Sequence, residues 1–169
     1  MPNESINEFE ECYLKPHTIL LSILNLPHYL YAMGRHDHLP IFQKAREILE
    51  ITKAITDAID DEDDHFMAKA LMVENAYMIG AKIAAAEGGG LYSLRMENAV
   101  LIKLAACELK TQTQLLIMGN LSDRSYINLL RDTIDSFKPI FIEWVKNFDP
   151  TDDINDGWLY ILPPRDSDQ

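Results

Sequence analysis

Four short stretches of this 169-residue chain have residue types and spacings that could serve chemistry. Glu62-Asp63-Asp64-His65 holds a Glu-x-x-His pair, the spacing with which ferritin-like bundles bind two metal ions. That site takes two such motifs plus a glutamate from each of two other helices, and only one motif occurs here, at a helix boundary. The plainer reading makes Asp63 or Asp64 the cap of the following helix, with the acids at its positive dipole end. His36-Asp37-His38 offers two imidazoles in a connector, short of the three protein ligands of a catalytic zinc. Asp152-Asp153-Ile154-Asn155-Asp156-Gly157 opens like a calcium loop, but Ile154 and Pro163 stand where the third and twelfth positions need oxygen ligands. Gly88-Gly89-Gly90 lacks the Lys-Ser/Thr and the preceding strand of a phosphate loop. Ser93 reads as a helix cap rather than a nucleophile, since no histidine follows position 65. Neither cofactor nor metal is expected, and the chain is read as non-enzymatic.

Charge narrows the partners. The formal charge is −12, placed unevenly: residues 1–79 hold 14 acids against 6 bases, and residues 149–169 hold 6 against 1. Residues 80–148 hold 7 acids against 8 bases. An acidic total argues against nucleic acid, whose binding draws on Lys and Arg contacts to phosphate. Any such contact would fall to Lys82, Arg95, Lys103, Lys110, Arg124 and Arg131, if they converge on one face. Phe137, Phe141 and Trp144 would stack bases only if exposed on a basic surface, so core or interface comes first. Cys12 and Cys107 fit no metal or redox spacing. The acidic start is unlike a signal peptide, and the stretch 16–34 is broken by Pro16, Asn25 and Pro27, so no membrane span is expected. The expected location is the cytoplasm.

Helical periodicity supplies the scaffold. A first long helix is predicted from about residue 41 to 59, where Ala45, Ile48, Thr52, Ile55 and Ile59 recur at helical spacing. A second runs from about His65 to Glu87 and is rich in small residues. The glycine triplet ends it, and the third runs from about Ser93 to Met118. Around that third helix, Leu94, Leu101, Ala105 and Leu109 form one apolar arc, and Val100 and Cys107 form another. A helix apolar on two sides needs two partners: its own bundle and a neighbouring subunit. Ser122 or Asp123 can cap the fourth, which continues to about Phe148 with a kink expected at Pro139. The expected fold is all-α, an up-down-up-down four-helix bundle over residues 41–148. Residues 1–40 form an N-terminal helical extension, and residues 149–169 an irregular, acidic and aromatic tail. Trp158-Leu159-Tyr160-Ile161-Leu162 in that tail should dock on the bundle or on a neighbour rather than stay solvated.

Some of these residues also carry a family pattern. Ala86, Glu87, Gly88, Gly90 and Ser93 match an Ala-Glu-Gly-x-Gly-x-x-Ser helix ending. Thr113, Gln114, Leu115 and Ile117 match a Thr-Gln-Leu-x-Ile close to the third helix. Gln43-Lys44-Ala45-Arg46-Glu47 looks like the family's first-helix opening, and Tyr126, Leu129 and Leu130 like the start of its fourth. In this order and spacing the chain resembles the four-helix-bundle proteins encoded in 23S rRNA intervening sequences, over roughly residues 41–148. It departs from them at Leu91, where the family usually has Arg, and at Ala106-Cys107, where it has Gly-Ser. The resemblance implies a left-handed bundle closing into a ring, commonly a pentamer, without catalysis. Related bundles are accessory proteins of reverse transcriptases in diversity-generating retroelements. The resulting expectation is a homo-oligomeric scaffold or adaptor with Val100, Cys107, Trp158, Tyr160 and Ile161 at its interfaces. Glu87, Gly88, Gly90 and Ser93 are expected to serve the helix turn, with Gly88→Val disrupting the bundle. A nucleic-acid accessory role is the alternative, and a carboxylate/histidine metal enzyme a weaker third.

Overall fold

The structure, a computed structural model, describes residues 36–64 and 67–153. Within them four helices account for most of the backbone: α1 (Pro40–Asp57), α2 (Ala68–Gly89), α3 (Tyr92–Gly119) and α4 (Arg124–Lys146). There is no strand among the described residues. Each helix packs chiefly on two neighbours, α1 on α2 and α4, and α3 on α2 and α4, which makes a four-helix bundle. The N-terminal extension up to residue 35, His65, and the tail from residue 154 lie outside the described residues, and with them Trp158, Tyr160 and Ile161.

Each helix begins and ends for a local reason. Pro40 opens α1, where its fixed φ suits a helix and its missing N–H would be unpaired anyway. Ile41, Phe42, Ala45, Ile48, Leu49 and Ile55 bury one face of α1 at spacings of three and four. Thr52 is fully buried there, its hydroxyl donating to the Ile48 carbonyl at 2.7 Å. The helix stops two residues short of the expected Ile59, as the amides of Ala58 and Ile59 bond to the carbonyls of Ile55 and Thr56.

Asp64 does not hold the capping position of α2, which falls to Met67 with no side-chain bond of its own, but its carboxylate still accepts from the amides of Ala68 at 2.7 Å and Lys69 at 3.2 Å. The helix begins at Ala68, three residues later than expected, after Met67 in the left-handed region at φ 53°. Small buried residues, Ala68, Ala76, Gly80 and Ala86, line α2, whose most extensive contact is with α3. Asp123 caps α4, accepting from the Ser125 amide at 2.7 Å. Pro139 cannot donate to the Asp135 carbonyl, yet α4 runs on through it to Lys146.

The glycine triplet divides its work differently from the sequence expectation. Gly88 and Gly89 are the last two residues of α2, and only Gly90 takes positive φ, at 69°. A Cβ added at Gly88 would meet nothing within 4 Å. The disruption expected of Gly88→Val therefore belongs to position 90. Gly88→Ala should stabilise the fold by about 0.5–1 kcal/mol by removing backbone freedom from the unfolded chain. Gly90→Ala should cost about 1–2 kcal/mol, the penalty of a Cβ at left-handed φ. Thermal unfolding of the two variants distinguishes them by the sign of the shift.

Ser93 does not cap α3. The helix starts one residue earlier, with Leu91 in the capping position and no side-chain cap of its own. The cap arrives from 60 residues away instead. The Asp152 carbonyl accepts from the Tyr92 amide at 2.7 Å, and the Asp153 carboxylate accepts from the Ser93 hydroxyl at 2.8 Å and its amide at 3.4 Å. A carboxylate at this end also meets the positive pole of the helix dipole. None of the described helices is long and apolar enough to cross a membrane.

Candidate functional site

Three features around α3 stand apart from ordinary core packing: a polar knot at its start, a solvent-facing apolar stripe, and a groove shared with α4. Glu87, near the end of α2, builds the knot. Its Oε1 accepts from Arg95 Nη2 of α3 and from Trp144 Nε1 of α4, each at 2.8 Å. The Arg95 guanidinium lies 4.1 Å over the Phe148 ring, and Trp144 meets that ring edge-on with centroids 4.7 Å apart. One carboxylate thus joins three helices. Arg95 is thereby committed to this knot rather than held out towards phosphate.

The stripe follows from the periodicity of α3. Ala105 and Leu109 are buried against the bundle together with Ala99, Ile102 and Leu116. At about 100° per residue, the side of the helix opposite that core carries Val100, Leu104, Cys107, Thr111 and Met118. Val100 is 60 % exposed, Leu104 51 % and Met118 75 %, and Cys107 is an exposed free thiol. Their spacing of three and four is that of a coiled-coil seam. Leu94 and Leu101, grouped by sequence with the core arc, are instead partly exposed at its edge, because the buried line centres on Ile102 and Leu109.

The groove lies between α3 and α4 and encloses about 730 Å³. Ala106, Ile134, Phe137, Phe141 and Ile142 make it apolar, and Lys103, Lys110, Arg131 and Lys138 line it with positive charge. Lys110 and Lys138 share one carboxylate, Asp135, at 2.5 and 2.7 Å. With its amide oxygen turned towards Arg131, Gln114 accepts from both guanidinium Nη atoms at 2.9 and 3.2 Å. The numbering rises along α3 as it falls along α4, so Lys103 and Ile142 mark one end of the groove and Gln114 and Arg131 the other. Among the described residues neither Lys103 nor Arg131 is ion-paired with a carboxylate.

Asp135 is held well below the ordinary aspartate value of 3.8, at about 2, by the hydrogen bonds from Lys110 and then Lys138. Asp123 and Asp149 are lowered as well, by bonds from Ser125 and Thr151 respectively. A carboxylate whose pKa is lower folded than unfolded stabilises the fold fully above its unfolded value and loses that stabilisation as pH falls through the folded one. The unfolding midpoint should therefore fall between about pH 4 and pH 2, and Asp135→Asn should make that fall shallower. A midpoint identical in wild type and Asp135→Asn across the acid range would contradict the pairing.

Of the six basic residues singled out by sequence, Lys103, Lys110 and Arg131 come together in the groove, while Lys82, Arg95 and Arg124 do not line it. Sequence reasoning missed Lys138 and Ile142, although Arg131, Ile134, Lys138 and Phe141 recur at one-face helical spacing. Val100 and Cys107 are exposed on the outer side of α3. His36 and His38 gather no third ligand, and no group of three or more His, Cys, Asp or Glu side chains suited to a metal occurs among the described residues. Asp37, between the two histidines, pairs with Arg46. No family model and no curated protein matches this chain.

Proposed function

We propose that this chain is a non-enzymatic, self-assembling helical scaffold or adaptor of the cytoplasm. The observation that carries the reading is the exposed seam of Val100, Leu104, Cys107 and Met118 on α3, opposite a face already buried in the bundle. A second face of this kind gains by burial against another helix, at about 25 cal/mol per Å² of apolar surface removed from water. The resemblance to the 23S rRNA intervening-sequence proteins supports a left-handed, up-down-up-down bundle closing into a ring, with five copies as the first stoichiometry to test. Light scattering at micromolar concentration should give a mass several times the 19.3 kDa of one chain. Val100→Asp with Leu104→Asp, both at exposed positions, should return it to 19.3 kDa without unfolding it. A strict monomer in the unmodified protein removes the self-assembly.

A second reading, accessory to nucleic acid or a reverse transcriptase, is favoured by the convergence of Lys103, Lys110, Arg131 and Lys138 on one groove. It requires RNA binding that weakens steeply with salt and is lost in Lys103→Glu with Arg131→Glu. Absence of RNA binding at low salt excludes it.

A further inference from the structure

The α3–α4 groove combines apolar and basic side chains, and its lining constrains what could fill it. Its floor is apolar, with Phe137, Phe141 and Ile142 prominent, so a well-fitting ligand needs an apolar body. Its charge is arranged by position. In the middle, Lys110 and Lys138 share the one carboxylate of Asp135, which offsets half of their charge, whereas Lys103 at one end and Arg131 at the other face no carboxylate partner among the described residues. Complementarity therefore asks for an extended segment that is apolar in the centre and acidic at both ends. Residues 154–169 have that order: Asp156, then Trp158-Leu159-Tyr160-Ile161-Leu162, then Asp166 and Asp168. Arg165 is the one base among them.

The point of departure fits too. Asp152 and Asp153 are bonded to the backbone of Tyr92 and Ser93, so residue 154 leaves from the first turn of α3. Ten residues of helix separate Ser93 from Lys103, about 15 Å along the axis. Asp156, three residues beyond Asp153, reaches about 10 Å, and the lengths of its own side chain and of Lys103 close the roughly 5 Å that remain; Trp158, five residues on, reaches up to about 17 Å. Leu162, nine residues on, reaches about 30 Å, beyond the roughly 26 Å at which Lys110 sits. Asp166 and Asp168 can then span the roughly 32 Å to Gln114 and Arg131. Because the segment is tethered, its local concentration at the groove is of millimolar order, and modest contacts suffice.

We propose that residues 154–169 of this chain lie back along the α3–α4 groove, the apolar run on Phe137, Phe141 and Ile142 and the acids towards Lys103 and Arg131. This inference does not depend on Val100, Leu104 and Met118 of the self-assembly seam, which do not line the groove; Cys107 lies on the border between the two.

Cys107 lines the groove and supplies a native probe. In the full chain carrying Cys12→Ser and Tyr160→Cys, a short bismaleimide should join the new thiol to Cys107 within one chain, in most molecules. Adding Ile142→Asp and Arg131→Glu should slow that reaction at least tenfold, while circular dichroism confirms the helices remain. Trp158 emission, isolated by Trp144→Phe, should be blue-shifted and move to the red in the same groove variant. The intrachain product should persist in the Val100→Asp, Leu104→Asp variant, so loss of self-assembly and loss of tail docking are read separately. Linkage only between chains would assign the groove to a second copy's segment and overturn the proposal. Full reactivity of both thiols without linkage would overturn it, as would protection of Cys107 by oligonucleotide with no intrachain product.

Discussion

Glu87→Ala is expected to lower the unfolding free energy by about 2–3 kcal/mol, a cost set by what it leaves behind. Arg95 and Glu87 side chains are each only 21 % exposed, so removing the carboxylate strands a guanidinium that solvent reaches poorly. It also takes the acceptor from Trp144 Nε1, whose ring is packed against Phe141 and Phe148. For a chain of this size the thermal midpoint should fall by roughly 4–12 °C. Glu87→Gln, which can still accept from Trp144 but carries no charge for Arg95, should fall between the two. If alanine and glutamine are equally harmless, Arg95 finds an equivalent partner and the knot does not join the helices energetically.

The second large effect is expected at Phe42. It is 1 % exposed on α1, among the largest of the fully buried side chains, with the His36 ring 6.3 Å away between centroids. Phe42→Ala should cost about 3–5 kcal/mol, the lost transfer free energy plus the cavity left in a core that cannot fully collapse. Against a typical total of about 5–15 kcal/mol this is a large fraction, so the denaturant midpoint should move well outside error with an unchanged slope. A loss under about 1 kcal/mol would mean that α1 is not part of the same cooperative unit as α2, α3 and α4.

The helices were legible in the sequence because their determinants are local. Asp123 caps where a short polar side chain precedes an apolar periodic run, and Asp64 bonds the first amides of α2 from three residues ahead of its capping position. The outer seam of α3 was also legible, since Val100 and Cys107 fall on the arc that one bundle cannot bury. What escaped depends on how one helix registers against another. The meeting of Lys110 with Asp135, or of Glu87 with both Arg95 and Trp144, joins residues 25, 8 and 57 positions apart, and no periodicity encodes such a pairing. The glycine triplet shows the finer limit. Three consecutive glycines mark a turn, but which one takes positive φ is decided by where the preceding helix runs out, two residues later than Glu87.

The clasp of Asp152 and Asp153 on the start of α3 has a consequence for the birth of the molecule. The amides of Tyr92 and Ser93 receive their partners from a segment made 60 residues later. On a ribosome, α1, α2 and α3 are all synthesised while that helix end is still open. The last helix and the seven residues after it must emerge before it can be closed. A nascent chain halted just after Lys146 carries the sequence of all four helices yet lacks the latch, so emergence of Asp152 and Asp153, rather than helix formation, closes the start of α3.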